Sequence, residues 1–133
     1  MPSALPGFAH ETWLTLQRGT EELAWAAPCF SGKMKPLGRN VRGALLATTD
    51  GRLFFIGRKN FRARFQEIPV PGARVTDDPG AVFHRLAVRP AEGELVRLRF
   101  TRKFSPCVPR VMAWIEERAR VQKRVEPAAT VTV

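Results

Sequence analysis

The sequence predicts a mainly β fold with a helix near each end, a small bent sandwich or barrel that a C-terminal helix closes. Three observations lead to this prediction. Asp50-Gly51 separates two apolar runs, and Asp-Gly between β-type runs is the strongest short-range signal for a hairpin. Further short runs that alternate apolar and polar residues follow it. One amphipathic stretch, at residues 106–124, comes after these runs.

Length, composition and charge narrow the class of protein. A chain of 133 residues with 44% hydrophobic and 26% charged residues is typical of one folded domain. Its net charge of +10 favours anionic partners, unless genome base composition alone enriched the chain in arginine. The sequence shows neither a membrane span nor a secretory signal. We therefore expect a cytoplasmic protein, free or peripheral at the inner membrane face, with Cys29 and Cys107 as buried, reduced thiols.

The order of elements begins with a short helix at residues 8–17, which we expect to pack outside the β region. Pro28 predicts a bend or a sheet edge within the first strand. A loop at residues 31–39, rich in Gly, Pro and Lys, precedes the Asp-Gly hairpin. The seven strand candidates span residues 22–30, 40–49, 52–59, 61–68, 73–76, 83–89 and 94–103.

Period-two alternation assigns faces to the later strands. It places Ala63 and Phe65 on the buried phase of their strand. The segment at residues 77–80, Asp-Asp-Pro-Gly, predicts a turn and leaves only a short strand before it. In the second hairpin the buried phase comprises Leu86, Val88, Val96, Leu98 and Phe100, and the opposite phase comprises Arg85, Ala87, Arg89, Arg97 and Arg99.

The C-terminal helix is expected to begin at Pro106 after an N-cap at Ser105, and to end near Arg124, before Pro127. These elements divide the chain into an N-terminal helical extension (1–19), a β domain with its closing helix (20–125) and a flexible tail (126–133). The helix carries an apolar stripe at helical spacing, formed by Val108, Val111, Met112, Ile115 and Ala119.

Residues for a catalytic or metal site are scarce in this sequence. His10 and His84 are its two histidines, too few for a histidine-rich metal site, and spacing alone assembles no Ser-His-Asp triad. His84 lies on the apolar phase of its strand, which indicates a hydrogen-bonded core or rim residue. Cys107, near a helix start, is interpreted as a small buried hydrophobe. We expect a non-enzymatic protein without cofactor or metal, and a flavin-binding split-barrel enzyme is the remaining enzymatic alternative.

In its order of elements the chain resembles the bacterial PH-like domains of the pleckstrin-homology superfold. The hairpin at residues 45–55 carries the resemblance, with an apolar strand, Thr, a polar turn, Arg-Leu and an aromatic pair. The Ile-Pro step at residues 68–69 and the position of Trp114 in the last helix add to it. The resemblance covers roughly residues 20–124. It implies a seven-stranded bent sandwich capped by the C-terminal helix, which Trp114 would anchor.

The resemblance also implies an anion site in the loop between the first two strands. In lipid-binding members of the superfold this loop holds inositol phosphates. Arg39 and Arg42 depart from the family's spacing, because residues three apart on a strand lie on opposite faces. This departure argues against specific phosphoinositide recognition and leaves a looser contact with anionic membrane. The implied site residues are Lys33, Lys35, Arg39 and Arg42.

A second candidate site is the basic face of the second hairpin. The function we predict is an adaptor-like module whose partner is an acidic protein or an acidic membrane. Nucleic-acid binding by a basic β-barrel is the alternative, although the phase of Phe61, Phe65 and Phe100 leaves this face without the aromatics of single-strand platforms. Self-association through an open edge strand is a further expectation. The site residues are Arg85, Arg89, Arg97 and Arg99.

Overall fold

Seven β-strands and two α-helices form the fold in the computed structural model, which describes residues 7–32, 41–59 and 62–132. A 3₁₀ turn, Ser105–Cys107, precedes the second helix. The helices are α1 (Gly7–Leu16) and α2 (Val108–Thr132). The strands are β1 (Leu23–Ser31), β2 (Arg42–Thr48), β3 (Leu53–Lys59), β4 (Arg62–Glu67), β5 (Arg74–Pro79), β6 (Phe83–Arg89) and β7 (Val96–Thr101). The mainly β prediction with a helix on either side of the strands is confirmed.

All seven strands pair antiparallel in one sheet, in the order β4-β3-β2-β1-β7-β6-β5. The sheet does not close on itself, because β4 and β5 are its two ends. It is bent, so that one face of both halves contributes to a single core. We call this the inner face, and the opposite side the outer face.

Strand β1 joins the two halves of the sheet. It pairs with β2 along its length, whereas β7 meets it only at Phe30 and Ser31. At Pro28 the strand therefore has β2 as its single neighbour, and proline is tolerated where one side of a strand is unpaired. The edge character that Pro28 predicts is local, because β1 as a whole lies in the middle of the sheet.

The inner face packs against α2. The predicted stripe of this helix is confirmed: four of its members are buried in the main core and Met112 lies partly buried against it. Trp114 is also only partly buried, and its ring meets Trp25 edge-on, with ring centroids 5.5 Å apart. Trp114 thus contacts the core from its margin instead of filling its centre.

The outer face of β1, β2 and β3 is covered by α1. Ala9 and Trp13 of the helix pack against Ala26, Ala44 and Phe54 in a second apolar cluster. This confirms that the first helix lies outside the β region. The outer faces of β6 and β7 carry the arginines of the predicted basic face.

At two glycines near the outer-face arginines, neighbouring strands approach so closely that no side chain fits between them. Gly43 pairs with Gly57 across β2 and β3, and a Cβ at Gly43 would lie 2.1 Å from the Ile56 carbonyl oxygen. Gly32, just after β1, donates its N–H to the Arg97 carbonyl at 2.7 Å, and a Cβ there would lie 2.8 Å from the Arg97 Cβ. Only glycine allows the end of β1 to approach β7 this closely.

Several local predictions are wrong. Asp77, Asp78 and Pro79 lie in β5 and not in a turn, and the connection to β6 begins at Gly80, whose N–H bonds the Phe83 carbonyl. An edge strand tolerates acidic residues and a terminal proline, so turn-type residues did not mark a turn here. Ala63 and Phe65 are exposed instead of buried, because they pair with Arg58 and Ile56 on the outer face, at the edge of the sheet. Phe61 lies outside the described residues.

The start and the end of α2 also differ from prediction. Ser105 is not an N-cap of α2: it opens the 3₁₀ turn, whose N-cap is Phe104, and its hydroxyl bonds His84. The helix begins at Val108 instead of Pro106 and continues past Arg124 and Pro127, to Thr132. The prediction that Pro127 ends the helix is therefore wrong.

Candidate functional site

The predicted loop site lies largely outside the described residues, which include Arg42 but not Lys33, Lys35 or Arg39. Arg42 is exposed at the start of β2. Its side chain belongs to the outer face, because it stands two residues before Ala44, a member of the cluster beneath α1.

The second predicted site follows the expected alternation. On β6 and β7, Leu86, Val88 and Leu98 are buried in the main core. The arginines between them occupy the outer face, where Arg85, Arg89 and Arg97 are exposed and Arg99 is half-buried. The face assignment of this hairpin is therefore confirmed.

The strand register brings Arg42, the described member of the first predicted site, into line with members of the second. Arg42 is directly opposite Phe30 on β1, and Phe30 is directly opposite Arg99 on β7. Arg99 in turn faces Arg85 on β6, and on the other side Arg42 faces Arg58 on β3. We call this set the arginine row. Across five adjacent strands it reads Arg58, Arg42, Phe30, Arg99 and Arg85.

Arg99 is the most constrained member of the row. Its guanidinium carbon lies 4.8 Å from the centre of the Phe83 ring, a cation–π geometry. Phe83 meets Phe30 edge-on, with centroids 6.3 Å apart. The Nε of Arg99 is buried and has no hydrogen-bond partner. Two half-buried aromatic rings thus stand among the arginines of the outer face, contrary to the sequence-based expectation that this face lacks them.

One end of the row opens into a groove of about 550 Å³. Arg85, Arg97 and Arg99 line it, with Ala87 and Gly32 among the other lining residues. The carboxylate nearest in register is Asp78, which faces Arg85 from β5. Among the described residues, no ion pair within 4 Å joins Arg42, Arg85, Arg97 or Arg99 to an acidic side chain. Asp77 and Asp78 of β5 also line the groove, which therefore carries three arginines against two carboxylates, a small excess of positive charge.

His84 forms a hydrogen-bonded chain away from the row. Nε2 of the ring is hydrogen-bonded to Asp77 Oδ2 at 2.7 Å, and Nδ1 is hydrogen-bonded to the Ser105 hydroxyl at 2.8 Å. The sequence did not pair these three residues, because Asp77 was assigned to a turn and Ser105 to a helix cap. The chain ties β5 and β6 to the residue that opens the 3₁₀ turn. It agrees with the interpretation of His84 as a hydrogen-bonded rim residue.

A buried ion pair lies at the other end of the sheet. Arg52 Nη1 donates to Glu21 Oε1 at 2.7 Å, and the Glu21 side chain is fully buried. Arg52 also donates to the Leu16 carbonyl at the end of α1 and lies 3.3 Å from Glu67. It therefore connects α1, the β2–β3 turn and β4. Nothing in the local pattern around Glu21 predicts its burial.

The remaining chemistry of the described residues is limited. Cys29 and Cys107 are buried and unpaired, as expected, and burial raises the pKa of the Cys29 thiol well above its ordinary value. No cluster of three or more His, Cys, Asp or Glu side chains suited to a metal ion occurs in the described part of the chain. Nor does any helix there combine the length and apolar character that crossing a membrane requires.

Comparisons with protein-family models, with curated protein sequences and with solved structures gave no significant match.

Proposed function

We propose that this chain is a non-enzymatic binding module of PH-like fold that recognises an anionic partner through the arginine row. The row itself carries the proposal, since arginines stand directly opposite one another at Arg42–Arg58 and at Arg85–Arg99. Seven antiparallel strands followed by a helix packed on the inner face support the PH-like part of the proposal.

Like charges directly opposite each other across two strands destabilise a sheet by a few tenths of a kcal/mol to about 1 kcal/mol per pair. An anion bound along the row would remove this repulsion. Arg99 is already held against Phe83, so it loses little side-chain freedom on binding. Arg42 and Arg85 of the row are exposed, as is Arg97, which lines the groove beside it, and all three supply further charge-assisted hydrogen bonds to the same partner.

The position of α1 bears on the shape of that partner. The helix covers Ala44 and Ile56, which lie two residues from Arg42 and Arg58 on the same outer face. A helix with its side chains is about 10 Å across, so α1 rises beside the row. A planar bilayer would meet α1 before it reached the arginines. A narrow partner that lies alongside α1 can therefore reach the arginines, whereas a flat membrane surface is held away by the helix.

Thermal unfolding in the presence of polyanions tests the proposal. The probes are polyphosphate, polyglutamate, single-stranded oligonucleotides and vesicles of anionic lipid. We expect at least one to raise the melting temperature, since a ligand at 100 times its Kd stabilises the native state by about 2.7 kcal/mol. The triple variant R42Q/R85Q/R97Q should lose this shift.

The matched control is R102Q/R110Q/R120Q, which removes the same charge from three exposed arginines outside the row. It should retain most of the shift. Equal losses in the two triple variants would mean that net charge alone attracts polyanions, and absence of any shift would refute the binding function.

A further inference from the structure

We infer that the anionic partner is a single-stranded nucleic acid that lies across the strands along the arginine row. This inference rests on the proposed function and names the partner of the same site. Three features of the row carry it: its linear shape, the aromatic rings within it, and the carboxylate at its end.

The row is a line and not a cluster. From Arg58 to Arg85 it crosses four interstrand steps. At about 4.8 Å per step this is roughly 19 Å along the sheet. A stacked strand advances about 3.4 Å per nucleotide, so the row matches about six stacked nucleotides, or fewer if the strand is extended. A polymer with regularly repeated charges can contact every arginine, whereas a compact anion can reach only one end.

The aromatic rings distinguish nucleic acid from other polyanions. Phe30 stands in the middle of the row, and Phe83 lies beside it beneath the Arg99 guanidinium. Proteins that bind single strands combine a cationic track with aromatic and guanidinium planes on which bases stack. An acidic peptide needs the cations alone. Bases in a duplex are already stacked on each other, so the rings favour a single strand.

Asp78 limits how far along the row the strand can bind. Its carboxylate faces Arg85 at the β5 end of the row and would repel a phosphate there. The bound segment therefore ends at Arg85, short of Asp78, which lines the groove together with Arg85, Arg97 and Arg99. Removing this carboxylate should tighten binding.

The test is fluorescence anisotropy with labelled dT12 and rU12 on the full chain, over a salt series from 50 to 200 mM. Four phosphate contacts predict a slope of log K against log salt of about −2.8, because each contact with a single strand contributes about −0.7. R42Q and R85Q should each reduce the slope by about 0.7, and R110Q, on α2, should leave it unchanged. Far-ultraviolet circular dichroism confirms that each variant is folded.

Two further variants distinguish the contribution of base stacking to the affinity from that of charge. F30L keeps an apolar side chain but removes the ring, so affinity should fall roughly tenfold without a change in slope. D78N should raise affinity. The relative affinities of dT12 and rU12 identify the nucleic acid, and a 12-base-pair duplex should bind more weakly than either.

Absence of oligonucleotide binding at 50 mM salt would overturn the inference. So would equal effects of R42Q and R110Q, or full affinity in folded F30L. If polyglutamate or anionic vesicles bind through the row while both oligonucleotides fail, the proposed function stands and this inference is wrong. If none of these polyanions binds, both are wrong.

Discussion

Replacing Arg52 with methionine should destabilise the protein by about 3–5 kcal/mol, because it leaves the Glu21 carboxylate buried without its cation. The Glu21 side chain is fully buried, and that of Arg52 is 13% exposed. Glu21 Oε1 accepts the bond from Arg52 at 2.7 Å, while Oε2 already has no partner. The variant also loses the bond from Arg52 to the Leu16 carbonyl, which holds the end of α1.

The two partners should respond unequally. E21Q leaves a cation that keeps some solvent contact and still has Glu67 3.3 Å away, so it should cost only about 1–2 kcal/mol. The double variant R52M/E21M removes both charges, and replacement of a buried ion pair by apolar residues is often close to neutral. We expect the double variant to be more stable than R52M, and the cycle completed by the single variant E21M should give a coupling energy of at least about 2 kcal/mol.

Urea unfolding followed by circular dichroism measures these differences, as long as the slope of the transition stays constant across the set. A loss of about 3–5 kcal/mol corresponds to roughly 10–20 °C in the melting temperature for a domain of this size. If R52M lost less than about 1 kcal/mol, or if R52M/E21M were the least stable variant, the buried carboxylate would not depend on Arg52 and the reasoning would be refuted.

Three further predictions concern Trp114 at the margin of the core, Gly32 in the seam where the end of β1 meets β7, and the buried thiol of Cys29. W114A should cost about 2 kcal/mol in urea unfolding, less than a fully buried tryptophan, because Trp114 is only partly buried and its main contact is the edge-on ring of Trp25. G32A should cost about 1–3 kcal/mol and speed hydrogen exchange of the amide of residue 32, since the added Cβ would lie 2.8 Å from the Arg97 Cβ. Burial raises the pKa of the Cys29 thiol in the folded state, so only the unfolded thiol ionises as the pH rises above about 8.5. The free energy of unfolding should therefore fall by up to about 1.4 kcal/mol per pH unit above that point, and C29V should show a smaller fall.

The sequence was sufficient wherever a strand's own alternation determined its faces. In the second hairpin, buried Leu86 and Leu98 alternate with Arg85 and Arg99, as period two requires. Alternation failed on β4, where Phe65 has the apolar phase but lies on an edge strand and is exposed. The turn predicted at Asp77 was wrong, because acidic residues and proline occur in edge strands as well as in turns.

Only part of the candidate site could be predicted from the sequence. The phase that Phe83 shares with Arg85 could have placed an aromatic ring on the basic face. The register that aligns Arg42, Phe30 and Arg99 could not have been found, since it depends on where β7 meets β1. The partnership of Glu21 with Arg52, 31 residues apart, is likewise a product of the folded topology.

The placement of the arginines helps to decide whether the positive charge of this chain serves binding or only reflects composition. Genome base composition can raise the number of arginines in a chain, but it does not place them opposite one another across strands. Direct opposition of like charges costs stability, and the Arg85–Arg99 pair incurs that cost, offset in part by Asp78 on the other side of Arg85. Gly32, which tolerates no side chain without displacing β7, holds the seam that brings Phe30 to Arg99. Under the proposed function, the negative charge of a partner would compensate the like charges that this seam brings together.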